Sequence, residues 1–375
     1  MIDLKGKVAV VTGGAAGIGA ETCKVFARHG AAVAIWDVNE VQGKALELIL
    51  LQEGFSAHFS KVNTAKLEEV EAAAQQVIAQ FGKIDILINN AGITRDASLM
   101  KMTAEQWQQV MDVNLTGVFN CTKVIAADMI KHNWGRIINT SSVSGIYGNV
   151  GQTNYGAAKA GIAAFTTIAS LELARYGVTV NAVAPVALTR MTENLSPTPP
   201  TDEERELGSP RWIAPIVTWL ASEESKAITG RVFEASGRVL AIAEGWHRGP
   251  THEPVDDAAM LGPIVEELMT KARLNAGMDA HLAKPFQDDD LTSILSMYLS
   301  ANRHDALEGP PAAASLLVRE CLPLDRRRGG RIAPGTVLNG MMSHNDWFPT
   351  LLAAVLTALL GWQLLLIAVI DAEHF

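Results

Sequence analysis

From residue 7 to about 240, short runs rich in Val and Ile alternate with segments of helical period, and that alternation admits few folds. A strand buried on both faces reads as a continuous apolar run, and its parallel neighbour is reached through a crossover long enough to be a helix. The strand candidates are residues 8–11, 32–35, 57–59, 84–88, 136–139, 179–182 and 231–234. Helical segments over 18–28, 67–81, 115–131 and 155–175 lie between them, each long enough for a right-handed crossover. The expected fold is therefore α/β, a doubly wound parallel seven-stranded sheet with helices on both faces. Ser209-Pro210 marks a further helix start, with an apolar stripe over 212–221 that would pack on the last strand. After residue 240 the alternation stops, and stretches such as Gly309-Pro310-Pro311 separate short pieces, which puts the boundary near 250. The reading is a domain over 1–250 followed by an irregular helical extension over 251–375.

Composition narrows the function classes. With 31 basic and 40 acidic residues the formal charge is −9, so no broad basic field invites nucleic acid, which is not an expected partner. Cys23, Cys121 and Cys321 are far apart, in neither a disulfide framework nor the close spacing of a metal site. No metal is expected, and the chain reads as reduced, intracellular and cytoplasmic. Residues 1–7 carry charges at Asp3, Lys5 and Lys7 and run straight into a strand, without the pattern of an export signal.

The first strand leads into Thr12-Gly13-Gly14-Ala15-Ala16-Gly17-Ile18-Gly19, and a helix follows at once. Small residues there let the backbone turn tightly and bring amides and a helix N-terminus against a pyrophosphate. The cofactor-binding candidates are Gly13, Ala16, Gly17, Ile18 and Gly19, and a glycine-rich turn with no ligand is the plain alternative. Asp37, 24 residues after Gly13 at the end of the second strand, can accept hydrogen bonds from both ribose hydroxyls and would repel a 2′-phosphate. Position 16 offers no Arg or Lys to hold such a phosphate, so both residues favour NAD over NADP. Otherwise Asp37 merely begins a surface turn.

Tyr155 and Lys159 stand four residues apart, one turn along a helix on the same face. An ordinary Tyr, with a pKa of about 10, is a poor base near neutrality, and a neighbouring ammonium stabilises the tyrosinate and reaches a cofactor ribose. Ser142, on the loop after a strand, can donate to a substrate oxygen. Alone, Tyr-x-x-x-Lys is more often a helix surface pair.

Taken with Asn89-Asn90-Ala91-Gly92 and with Asn114 in Asp-Val-Asn-Leu-Thr-Gly, these motifs resemble the short-chain dehydrogenase/reductase family over about residues 5–245. Ser142 lies 13 residues before Tyr155 and Asn114 lies 28 before Ser142, intervals that fit that family. The resemblance implies a Rossmann-like fold and an NAD(P)-dependent enzyme with Asn114, Ser142, Tyr155 and Lys159 as catalytic residues, Asn114 holding a water chain to Lys159. It also implies that Asn90, Ala91 and Gly92 line the adenosine side, that Asn63 contacts adenine, and that Pro185 and Thr189 meet the nicotinamide end, with Tyr155 and Lys159 also touching cofactor. One departure stands out: the residue after Pro185 is Val186, where the commoner pattern has Gly, so an altered loop is expected. The Pro-rich loop over 189–208 reads as a mobile lid or a plain connector.

The first 180 residues look most like 3-oxoacyl-acyl-carrier-protein reductases, whereas 231–234 and 243–246 look more like 3-hydroxyacyl-CoA dehydrogenase units. Both imply a 3-oxoacyl or 3-hydroxyacyl thioester as substrate. A dehydrogenase of a diol, sugar or steroid, or a catalytically silent docking protein, is the alternative. Family members commonly form tetramers through the helices corresponding to 115–131 and 155–175, which implies a homo-oligomer.

The extension contains a receiver-like fragment over 275–286 and a sulfatase-like fragment over 332–352, each lacking its family's reactive residues. Residues 350–370 are 21 uncharged positions preceded by Arg326, Arg327, Arg328 and Arg331. By length they could span a bilayer, but Gln363 and Asp371 weigh against it, and membrane contact is not the favoured reading. The extension is expected to have no activity of its own.

Overall fold

The computed structural model describes residues 2–189, 200–256 and 258–273, all within the first of two units, Met1–Pro285. The elements run β1 Val8–Thr12, α1 Gly17–Arg28, β2 Ala32–Asp37, α2 Glu40–Gln52, β3 Ala57–Lys61, α3 Leu67–Phe81, β4 Ile86–Asn89 and α4 Ala104–Met111. A π-helical turn over Asp112–Thr116 joins α4 to α5 Gly117–His132, followed by β5 Gly135–Thr140, α6 Val143–Ile146, α7 Thr153–Leu173 and β6 Val178–Pro185. The series closes with α8 Asp202–Leu207, α9 Ala214–Leu220, β7 Val232–Ala235, β8 Leu240–Ala243 and α10 Leu261–Lys271.

The strand order is β3-β2-β1-β4-β5-β6-β7-β8. The first seven strands are parallel, as their apolar runs require. Side chains alternate across β1: Ala9 and Val11 enter one core with Cys23, Phe26, Leu46 and Val217, while Val8 and Val10 enter the other with Val70, Val77, Ile125 and Met129. Each fully buried aliphatic side chain contributes roughly 1.5–3 kcal/mol, so the two apolar layers hold the sheet between its helices.

The seven-stranded expectation is corrected by one strand: β8 pairs antiparallel with β7. Its sequence, Leu240-Ala-Ile-Ala243, lies in a stretch that reads as irregular. The reversal before it is local: the Ser236 amide donates to the Val239 carbonyl (2.8 Å), and the Ser236 Oγ accepts from the amides of Arg238 and Val239. Side-chain hydrogen bonding of this kind makes a turn without a periodic signal. The expected helix start at Ser209-Pro210 takes the form of a 3-10 turn, Pro210–Trp212, with the Ser209 Oγ accepting from the Arg211 amide, and α9 follows.

Among the described residues α7 is long and apolar enough to cross a membrane by length and composition, yet Ala158, Ile162 and Ala169 on it are buried in this fold. The receiver-like and sulfatase-like fragments, Cys321, the segment 350–370 and residues 190–199 of the proposed lid lie outside the described residues.

The α2–β3 contact is close enough to test. A Cβ on Gly43 would stand 2.0 Å from the Phe59 ring, which is largely buried. Gly to Ala inside a helix ordinarily stabilises by about 1 kcal/mol; here overpacking reverses the sign, and Gly43→Ala should lower the free energy of unfolding by about 1–3 kcal/mol in urea titration.

Candidate active site

β1 and β4 are neighbours whose connections leave on different sides, so a crevice opens at their carboxyl ends, where open α/β sheets take ligands. The glycine turn lines it. Gly13 and Gly17 have φ of 62° and 54°, a region where side chains are disfavoured. At Gly19 a Cβ would collide with the Gly13 carbonyl oxygen at 2.2 Å. No side chain caps the N-terminus of α1 and no acidic residue stands in its first turn, which leaves a positive helix end to face an anion. Ala16 is the residue before that helix, and Ile18 packs on the apolar core. A Cβ at Gly17 would lie 3.5 Å from the Thr189 Cγ2, so Thr189 sits across the turn from α1.

The turn is bolted to β4 by Thr12, which sequence reasoning quoted but did not single out. Its Oγ1 donates to the Ile88 carbonyl at 3.2 Å and accepts from the amides of Asn90 and Ala91, each at 3.0 Å. Asn90 completes the tie: its Nδ2 donates to the carbonyls of Thr12 and Gly13, both at 3.0 Å. Asp37 holds the other flank, with Oδ2 accepting from the Ala15 amide at 3.0 Å and Oδ1 from the Asn39 amide at 2.9 Å. The Asn63 Oδ1 accepts from the Ala65 amide at 3.1 Å, so this side chain also closes a local turn.

Asn114 is fully buried in the π-helical turn, a local over-winding often found at functional positions. Its amide pairs with the Ile93 main chain, accepting from the nitrogen (2.8 Å) and donating to the oxygen (2.9 Å). A Cβ on Gly92 would come within 3.3 Å of Asn114 Oδ1 and 3.6 Å of Lys159 Nζ, so Gly92 brings the backbone beside both. Ser142 is the N-cap of α6, its Oγ accepting from the Ser144 amide, and it also hydrogen-bonds the Tyr155 phenol. Tyr155 and Lys159 share the first turns of α7, the ammonium lying 5.5 Å from the Tyr155 ring centre and donating to the Thr140 carbonyl at 2.7 Å.

The electrostatics differ from the simplest expectation. Burial pushes the Lys159 ammonium down to about 8. Burial also raises the Tyr155 phenol above its ordinary value; the hydrogen bond from Ser142 opposes this and the Asp96 carboxylate adds to it. The net effect holds the phenol protonated near neutrality. Burial is the larger cause, and the Lys159 ammonium, 5.5 Å from the ring centre, donates to the Thr140 carbonyl.

Two polar groupings near these residues carry no spacing rule that would reveal them in a sequence. Gln152 joins Asp96, Ser144 and Asn149. Tyr147, at the end of α6, donates to Glu234 on β7, which drives its phenol up to about 12. At the altered loop, the Val186 amide donates to the Ala235 carbonyl at 2.9 Å just after half-buried Pro185. Among the described residues Asn133 alone of the non-glycines has positive φ, so Val186 avoids the strain that a Gly-requiring conformation would impose.

The short chain dehydrogenase family model matches residues 7–200. The 3-oxoacyl-[acyl-carrier-protein] reductase FabG of Chlamydia muridarum is 41% identical over 241 residues, covering 62% of this chain and 97% of the reductase. The peroxisomal hydratase-dehydrogenase-epimerase of Neurospora crassa is 39% identical over 267 residues, 68% of this chain and 28% of that protein. Among solved structures, a short chain dehydrogenase from Mycobacterium avium aligns with a TM-score of 0.66 at 37% identity, covering 72% of this chain and 97% of its own.

Lys159 gives the site a measurable pH signature. Its folded value, about 8, lies below the ordinary lysine value of 10.5, so the unfolded chain binds the proton more readily and this group lowers stability below about pH 8. The penalty fades as pH rises towards the unfolded value. Lys159→Met should therefore raise the free energy of unfolding at pH 7 by about 1–3 kcal/mol, less about 1 kcal/mol for the lost bond to Thr140. The gain should shrink between about pH 8 and 10.5 in urea titrations.

Proposed function

This chain belongs to the short-chain dehydrogenase family, and we propose that within it the enzyme reduces a 3-oxoacyl thioester to the 3-hydroxyacyl thioester. Membership makes it a nicotinamide-dependent oxidoreductase acting on carbonyl/secondary alcohol pairs. The observation that carries the substrate reading is the 41% identity that extends over 97% of a 3-oxoacyl-[acyl-carrier-protein] reductase. Similarity to the hydratase-dehydrogenase-epimerase favours, as a second reading, a thioester on coenzyme A rather than on carrier protein.

The crevice fits a dinucleotide, because its glycines leave room that a Cβ would fill and the N-terminus of α1 has no competing side-chain cap. Gly13, Ala16, Gly17, Ile18 and Gly19 would face the pyrophosphate, Asp37 the adenosine ribose, Asn63, Asn90, Ala91 and Gly92 the adenosine side, and Pro185 and Thr189 the nicotinamide end. When bound, the cofactor supplies the hydride. Ser142 donates to the substrate oxygen and stabilises the charge that develops there. Tyr155 gives its phenolic proton to the same oxygen. Lys159, buried and cationic below about pH 8, stabilises the phenolate that remains and holds the cofactor ribose. Asn114, anchored by both polar atoms to Ile93, supports the water chain that returns a proton to Lys159.

NAD is the preferred cofactor in this reading, supported by the Asp37 carboxylate, which two backbone amides hold at the end of β2 and whose charge would repel a 2′-phosphate. The enzyme is a cytoplasmic homo-oligomer assembled through α5 and α7, whose outer faces carry Phe119, Ile168 and Leu171, the last 76% exposed. The dehydrogenase domain ends near residue 250, and 251–375 adds no activity.

Two experiments test this. Acetoacetyl-CoA or acetoacetyl-acyl-carrier-protein should be turned over by the full chain with NADH preferred, and Tyr155→Phe should lower kcat by about a hundredfold or more with cofactor affinity unchanged; no turnover of either by the parent enzyme refutes the thioester. Asp37→Asn removes the charge and keeps an acceptor for one of the Ala15 and Asn39 amides, and should raise kcat/KM for NADPH relative to NADH by about tenfold, read in parallel initial-rate series.

A further inference from the structure

α6 has only the residues Val143–Ile146, too few for helical hydrogen bonding to fix it in place, so its position comes from its ties to the rest of the fold. Ser142 begins it, with Oγ accepting from the Ser144 amide at 3.1 Å. Its middle is pressed on α7: a Cβ at Gly145 would meet the Ala160 nitrogen at 2.6 Å and the Lys159 carbonyl carbon at 2.7 Å. The Ser144 Oγ donates to Gln152 Oε1, just before α7, at 2.9 Å. These ties run within α6 or towards α7. Tyr147, which ends the helix, binds a different element, its hydroxyl donating to the Glu234 carboxylate on β7.

β7 places Glu234 to receive it. Phe233 and Ala235 enter the core shared with Cys23 and Val217, so Glu234 between them faces the other side of the sheet, where Phe165 and Ala169 of α7 pack. In register Glu234 stands beside Ala184 and Ala235 beside Pro185, and the Val186 amide donates to the Ala235 carbonyl at 2.9 Å. The carboxylate thus belongs to the same rigid strand pair that carries Pro185 and Val186. With its phenol pushed up to about 12 by this bond, Tyr147 keeps its proton and remains a donor throughout the neutral and mildly alkaline range.

We propose that Tyr147 and Glu234 are positioning residues whose hydrogen bond clasps the far end of α6 to β7 and so fixes Ser142, at the near end, relative to Pro185 beside the nicotinamide end of the crevice. The inference rests on the reading of Ser142 as the donor to the substrate oxygen. A one-turn helix is only about 6 Å long, so a shift at Tyr147 is passed to Ser142 with little loss. Turnover is sensitive to displacements of about 1 Å in such a group. Without the clasp α6 is left hinged on α7, and the fold survives while the donor is misplaced.

Two measurements on the full chain test this. In ligand-free protein, hydrogen exchange at the amides of Ser144, Gly145 and Tyr147, which bond to the Ser142 Oγ, the Ser142 carbonyl and the Val143 carbonyl, should quicken about tenfold in Tyr147→Phe while Ile137 and Ile138 of β5 do not change. In single turnovers of acetoacetyl-CoA or acetoacetyl-acyl-carrier-protein with NADH, Tyr147→Phe should slow reduction about five- to thirtyfold with NADH affinity unchanged. Glu234→Gln keeps an acceptor for the phenol and should stay within about threefold of the parent. In a Ser142→Ala background Tyr147→Phe should cost less than about twofold, because the group being positioned is gone. A structural role alone would slow both backgrounds equally. Unchanged exchange, an unchanged rate in Tyr147→Phe, or an equal loss in the two backgrounds overturns the proposal. Failure of the parent enzyme to turn over either thioester overturns the substrate reading instead, and the exchange measurement still decides the clasp.

Discussion

One hydroxyl group holds the crevice together. β1 and β4 lie side by side, yet the chain leaves them in opposite directions, so nothing in the sheet ladder itself fixes the two loops that leave their carboxyl ends. The Thr12 Oγ1 does so by accepting from two amides beyond β4 and donating to a carbonyl within it. Buried amides without partners are strongly disfavoured, so the glycine turn has one position available. Asn90 then repeats the tie from the other side. A rigid turn lets small residues present bare backbone to a ligand while contributing almost no side-chain contacts of their own.

The polar side chains around Tyr155 answer a second constraint. The Lys159 ammonium is held by one carbonyl partner, and its burial pushes it down to about 8, a cost that folding bears. The molecule concentrates its electrostatic strain at one place and spends apolar packing elsewhere to retain it.

Much of this was legible in the residues. The seven parallel strands follow from continuous apolar runs, whose burial on both faces leaves no alternation to misread. The Tyr155–Lys159 pair follows from helical spacing, and Ser142 from its place after a strand. Three features were not legible. β8 depends on a turn made by one serine side chain, which has no period. The π-helical turn around Asn114 changes the phase of a helix without breaking its composition. Asp96 and Gln152 are polar loop residues like many others until the fold brings their segments together. The substitution at Val186 raised doubt about the loop because glycine's freedom is inferred from residue type, whereas the backbone there takes a conformation open to valine. Asn63, Asn90 and Asp37 all hold local backbone, so residues expected to meet a ligand also shape the surface that would meet it.

The π-helical turn has a consequence for what kinds of change this chain can tolerate. A regular helix advances about 100° per residue, so the extra residue accommodated over Asp112–Thr116 sets α4 and α5 out of phase with one another. α4 packs against α7 while α5 packs against α3. Substitutions along this stretch alter one contact at a time. Deleting one residue within it would rotate one half of the rod against the other by about 100° and misalign all of its buried positions together, so length there is under tighter constraint than residue identity.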